Sequence, residues 1–183
     1  MSTAAIRELV REECARGSFG PAFFEEHLAV VARYGERLAR ELGADAEIVE
    51  LAAWLHDLAA VRDPAALPEH ARLSAALARE LLPAYGFSGG TIDRVARAIA
   101  SHSSPLALGS GTLEEVCLSQ ADAVAQIVRP AWWFYFAFTV RKCGFDEGRR
   151  WLLGLWESRW NSLIEPARAL VGDLYSQARA LLE

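Results

Sequence analysis

Cysteine is scarce in this 183-residue chain: there are three, Cys14, Cys117 and Cys143, far apart and without a C-x-x-C pair. That number and spacing exclude a disulfide framework and a thiolate zinc site, and they suit the reducing cytoplasm. Long hydrophobic runs are lacking as well. No stretch reaches the ~18 uninterrupted apolar residues of a membrane span, and MSTAAIRELVREE at the start carries charges where a signal peptide is apolar. A soluble cytoplasmic protein without a membrane partner is the expectation. There is no excess of positive charge: 19 Lys and Arg face 24 Asp and Glu, for a net charge of −5. This argues against nucleic acid as a partner, and an anionic substrate would need local help of the kind a divalent metal gives. Strand-like alternation, internal repeats and linker-like tracts are also missing.

What is present is helical periodicity along almost the whole chain, with 52% hydrophobic residues to fill a core. The expected fold is all-α and a single domain over residues 1–183, with a core over about 21–128 and a C-terminal helical extension over about 131–183. Ser2 or Thr3 caps a first amphipathic helix to about Arg16, and GSFG at 17–20 breaks it. Pro21 opens a second helix that ends at Leu42 before Gly43 and carries His27 on the same stripe as Phe23, Val30, Val31, Tyr34 and Leu38. Asp45 caps the helix containing Ile48 to Val61, and Asp63, Pro64 and Pro68 end it. His70 begins a helix to about Leu82. Thr91 and Asp93 start another that ends at SHSSP, with His102 at its mouth. Thr112 and Glu115 form a T-x-x-E capping box for the helix that bears Asp122.

The segment IVELAAWLHDLAAV, Ile48 to Val61, is apolar on nearly every side, yet it contains His56 and Asp57 side by side. A buried carboxylate needs a cation, and no Lys or Arg stands one helical turn away from Asp57. The partner comes from elsewhere in the fold or is a metal ion. The chain has only four histidines, His27, His56, His70 and His102, and each falls on or at the end of a core-facing helix. With Asp57 and Asp122 they make six nitrogen and oxygen donors, suited to Mn, Fe, Co, Ni, Zn or Mg rather than to structural zinc. Read singly, a histidine on an apolar face is more often a hydrogen-bonded core residue than a ligand, and Asp122 is equally a partner for Arg129 or another core cation.

A His, then an adjacent His-Asp, then a distant Asp on a helical scaffold resembles the HD-domain superfamily of metal-dependent phosphohydrolases. Here these are His27, His56 with Asp57, and Asp122, within about Phe23 to Val128. His70 in EHARLSAALARELL and His102 in RAIASHSSP resemble the extra ligands of two-metal members. The resemblance implies one ion on His27, His56, Asp57 and Asp122, and a second on His70 and His102 with Asp57 bridging. It further implies hydrolysis of a phosphate ester or anhydride of a nucleotide or similar small phosphorylated metabolite, with Asp57 central to catalysis. Some proteins with this six-donor set are instead two-iron oxygenases that cleave a C–C or C–P bond. A non-catalytic interaction module on the same fold is the remaining alternative.

Where many family members have a Lys or Glu soon after the His-Asp pair, this chain has Ala59, Ala60 and Val61. Asp63 and Glu69 are the nearest acids, as solvated loop residues or as stand-ins. For substrate binding, Arg141 and Lys142 follow the aromatic run AWWFYFAFTV and are the expected phosphate contacts at a pocket rim. The run itself, including Trp132, Trp133, Phe134 and Tyr135, is core, pocket wall or the face of a homodimer.

Overall fold

The structure is a computed structural model that describes residues 3–183, and no strand occurs among the described residues. Helix α1 (Thr3–Arg16) buries Ile6, Val10 and Cys14 on one stripe. A π-helical turn, Phe24–Leu28, leads without interruption into α2 (Ala29–Leu42), which ends at Gly43 in the left-handed conformation (φ 76°) that glycine adopts freely. Asp45 caps α3 (Ala46–Leu55), its side chain accepting from the N–H groups of Glu47 and Ile48. Then come α4 (Leu58–Arg62), α5 (His70–Leu81), α6 (Gly89–Ser101) and α7 (Leu113–Val128). The extension holds α8 (Pro130–Tyr135), a second π-helical turn over Phe136–Val140, α9 (Phe145–Ser162), α10 (Glu165–Val171) and α11 (Leu174–Ala180).

Helix α7 is the axis of the molecule. Every residue from Val116 to Ile127 is buried, a pattern that requires neighbours on all sides, and α2, α3, α6, α9, α10 and α11 supply them. Its start is fixed by the reciprocal capping box of Thr112 and Glu115. Gly35 lets α2 come close: a Cβ there would lie 2.9 Å from Val49 Cγ1 and 3.7 Å from Ala121 Cβ.

Two glutamines of α7 fasten the extension. Gln120 donates to the carbonyls of Leu106 (2.8 Å) and Ser162 (3.0 Å) and accepts from the Ile164 N–H (2.8 Å). The Gln126 carbonyl accepts from Trp156 Nε1 at 2.9 Å, so both ends of the α9 contact are set by hydrogen bonds made in buried surroundings.

Several boundaries differ from those read in the sequence. Ser2 lies outside the described residues, and Thr3 is within α1 rather than ahead of it. The helix expected over Ile48 to Val61 is broken at His56 and Asp57 into α3 and α4, because Asp57 takes φ −107°, ψ 7°. The second helix forms a π turn before it becomes α-helical. Helix α6 begins at Gly89 under a Ser88 cap, whose hydroxyl accepts from the Thr91 N–H, while Asp93 instead pairs with Arg79. Helix α5 passes into a 3-10 turn at Leu82.

Candidate metal centre

Each of the six donors stands at a place where the backbone is irregular or wholly enclosed. His27 lies in the π turn, where the Ala29 N–H donates to the Phe24 carbonyl five residues back and Phe24, His27 and Leu28 are all turned inward. His56 and Asp57 occupy the break between α3 and α4. Asp57 precedes α4, but its carboxylate caps no N–H there and is free for the centre. His70 opens α5, His102 follows the last turn of α6, and Asp122 sits midway along α7.

Their atoms converge. His27 Nε2 is 3.3 Å from His56 Nε2, 3.3 Å from Asp57 Oδ2 and 3.3 Å from Asp122 Oδ1. His56 Nε2 is likewise 3.3 Å from Asp57 Oδ2. The other carboxylate oxygen, Asp57 Oδ1, faces His70 Nε2 at 3.4 Å, and His70 Nε2 lies 3.1 Å from His102 Nε2. Asp57 therefore belongs to two groups, one with His27 and His56, the other with His70 and His102.

Whether this set fits divalent ions is decided by the far side of each ring. Nδ1 of His56, His70 and His102 donates to the carbonyl three residues earlier, Ala53 (2.8 Å), Leu67 (2.7 Å) and Ile99 (2.7 Å). That fixes the tautomer, leaving a lone pair on each neutral Nε2 aimed inward. Two such lone pairs at 3.1 Å repel rather than bond, so a cation belongs between them. Donors that share an ion at ~2.1 Å lie ~3.0–3.4 Å apart, the spacing found here. The residues could hold one or two divalent metals.

Burial pulls the His56 imidazole down, but the negative charges of Asp57 and Asp122 and its hydrogen bonds outweigh this and raise its pKa to about 9. Asp57 is pushed up by burial, yet the positive charge on His56 and hydrogen bonds from His27 and His56 hold it well below the ordinary carboxylate range. His102, buried and facing that same His56 charge, is lowered to about 4. The His56 ring thus answers the charge of both Asp57 and Asp122.

The centre forms the floor of a cavity of about 370 Å³. Phe23 stacks on His27 (ring centroids 4.9 Å) and Trp133 meets it edge-on (5.7 Å). Trp133 and Phe136 line the cavity, so part of the aromatic run is its wall. Trp132 is instead buried against Phe23, the partly buried Phe134 packs on Trp156, and Tyr135 is half exposed. Arg141 also lines the cavity, its guanidinium over Trp151 at 4.7 Å. Lys142 is exposed and outside the lining, Asp63 accepts from the Ala65 N–H and Glu69 pairs with Arg72.

Among the lining residues that sequence reasoning missed are Ser103, whose hydroxyl lies 3.3 Å from His70 Nε2, and a pair beside Asp122. Gln126 donates to both Asp122 oxygens (3.0 and 2.9 Å), and Arg159 Nε donates to Gln126 Oε1 at 2.7 Å. Asp122 thus pairs with Gln126, whereas Arg129 reaches toward Glu26 at 3.8 Å. The position of Gln126 one turn after Asp122 was a signal available in the sequence. Arg159 gave none, since its place follows from the docking of α9.

A profile of the HD domain matches residues 24–127. Ribonuclease Y of Rubrobacter xylanophilus is 33% identical over 110 residues, which is 60% of this chain and 19% of that protein. The chain therefore spans about a fifth of that relative's length. A crystal structure of a predicted HD superfamily hydrolase from an uncultured Thermotogales bacterium has the same fold, with a TM-score of 0.60 and 24% identity over 92% of this chain and 90% of that one. The profile match spans more than half of the chain and takes in all six converging donors, and the chain belongs to the HD domain family.

Proposed function

We propose that the protein is a metal-dependent hydrolase of a phosphate ester or anhydride on a small phosphorylated substrate. The observation that carries this reading is the division of Asp57, one oxygen toward His27 and His56 and the other toward His70, in the lining of an open cavity. Divalent ions held by these donors would polarise a phosphoryl oxygen and make water a nucleophile at neutral pH. The chain's own residues do the rest. Asp57 orients the two halves of the centre with respect to each other. Phe23, Trp133 and Phe136 exclude bulk water and offer ring faces to a planar group. Arg141, held over Trp151, presents a fork to phosphate oxygens, and Lys142 beside it adds longer-range attraction. The cavity volume suits a small metabolite.

The name of the relative, a ribonuclease, favours a second reading in which the substrate is a phosphodiester of RNA. The test begins with elemental analysis of protein purified without chelator. Hydrolysis is then screened over phosphate esters, anhydrides, nucleotides and a short RNA with Mn, Co, Ni, Zn, Fe and Mg, with Asp57→Ala as control. Release of phosphate from a nucleotide or metabolite supports the first reading, and cleavage of the RNA alone transfers the assignment to the second. Oxygen consumption by the iron-loaded protein, with no phosphate released, would establish the oxygenase chemistry instead. Protein that retains no metal and catalyses nothing would be an interaction module.

A further inference from the structure

We infer that Arg159 is an anion receptor of the cavity and that Gln126 couples it to the metal ligand Asp122. Gln126 is buried, with 6% of its surface exposed, and its amide is constrained at both ends. Asp122 can only accept and a guanidinium can only donate, so the NH2 group must face Asp122 and the oxygen must face Arg159. A glutamate at this position would repel Asp122, and a lysine would repel Arg159. The amide is the one side-chain type that satisfies both neighbours at this length.

Arg159 has five N–H donors, and the protein takes only the one on Nε. Its Nη groups have no hydrogen-bond partner among the described residues, and the side chain lines the same cavity as the metal-ligand set. If its role were only to hold α9 against α7, Trp156 already does that, through its bond to the Gln126 carbonyl one turn earlier on α9. An oxyanion, a phosphoryl group above all, matches a planar fork of this kind. An anion bound on the Nη groups draws the guanidinium toward itself, and Nε, Gln126 and Asp122 are fixed with it. Substrate binding thereby tightens the hold of Asp122 on its ion, and by reciprocity ion binding tightens the hold on the anion.

This inference rests on the reading of the cavity as a site for phosphorylated substrates, and inorganic phosphate as the probe separates the two. Phosphate affinity and chelator-driven ion release are measured on metal-loaded wild type, Arg159→Ala, Arg159→Lys and Gln126→Met. Arg159→Ala should stay folded and keep its ions while phosphate affinity falls by about tenfold or more, with Lys restoring only part. Gln126→Met, which keeps the receptor but cuts the link, should bind phosphate within about threefold of wild type and lose most of the protection that phosphate gives against ion release. Unchanged phosphate affinity in Arg159→Ala, or full protection in Gln126→Met, would overturn the inference. Wild type that binds phosphate through Arg159 yet hydrolyses no phosphate compound would sink the proposed function and leave this inference standing.

Discussion

Asp57 offers an oxygen to each half of the centre, whereas each histidine serves one half. Asp57→Ala should therefore lose both ions, and His70→Ala or His102→Ala about one, with the fold retained. Elemental analysis of the purified variants reads this directly, and Asp57→Ala with its full ion content would refute the bridging arrangement. His56 adds a pH dependence. Its pKa in the ion-free fold, about 9, lies above the ordinary 6.5. Its proton thus stabilises the ion-free fold fully below pH 6.5, a contribution lost as pH rises through about 9. An ion needs that nitrogen bare, so loading at neutral pH should expel about one proton, and ion affinity should climb by about tenfold per pH unit toward 9. Calorimetry in buffers of differing ionisation enthalpy would detect the proton, and zero release would contradict this account. At this scale the six donors were legible because imidazole and carboxylate on apolar helix faces conflict with burial unless a cation is near. Arg159 was not, since nothing adjacent to it in sequence marks which side of α9 meets α7.

Among the elements, the well-read ones are those whose ends depend on neighbouring side chains. The Thr112 and Glu115 capping box and the Asp45 cap sit where the residue types put them. Ser88 was passed over because Thr91, whose N–H it caps, is itself a good capping residue. The π turn at His27 and the break at Asp57 had no local signature: each is a backbone adjustment that brings a donor to the centre, stabilised by contacts distant in sequence. Gly35 belongs to the same class, its role visible only when Val49 is found 2.9 Å from where a Cβ would stand. Gly35→Ala should gain helix propensity yet destabilise the protein by about 1–3 kcal/mol through overpacking, as read by urea unfolding. A stabilised variant would mean that α2 and α3 separate without cost. Thr112→Ala should cost about 1 kcal/mol and leave metal content unchanged.

For the molecule as a whole, the all-α class followed from periodicity, and no described helix is long and apolar enough to cross a membrane. The way the extension is fastened, through Gln120 and Gln126, was hidden because a buried glutamine is legible only with its partners in place. Because the donor set exists only in the folded chain, ions in excess should raise the thermal midpoint and chelator should lower it, the shift growing with the logarithm of free ion concentration. A midpoint indifferent to chelator would show that the ions do not bind the native state preferentially.

The donors run from residue 27 to residue 122 on separate segments, with α2 packed on α3 and α7, and α5 packed on α4 and α6. No short piece of chain can gather all six, and we expect the full set to assemble late in folding. The ions then act as a latch on the finished structure and not as a seed for it: stopped-flow refolding should proceed at the same speed with or without them, while unfolding slows in proportion to their occupancy.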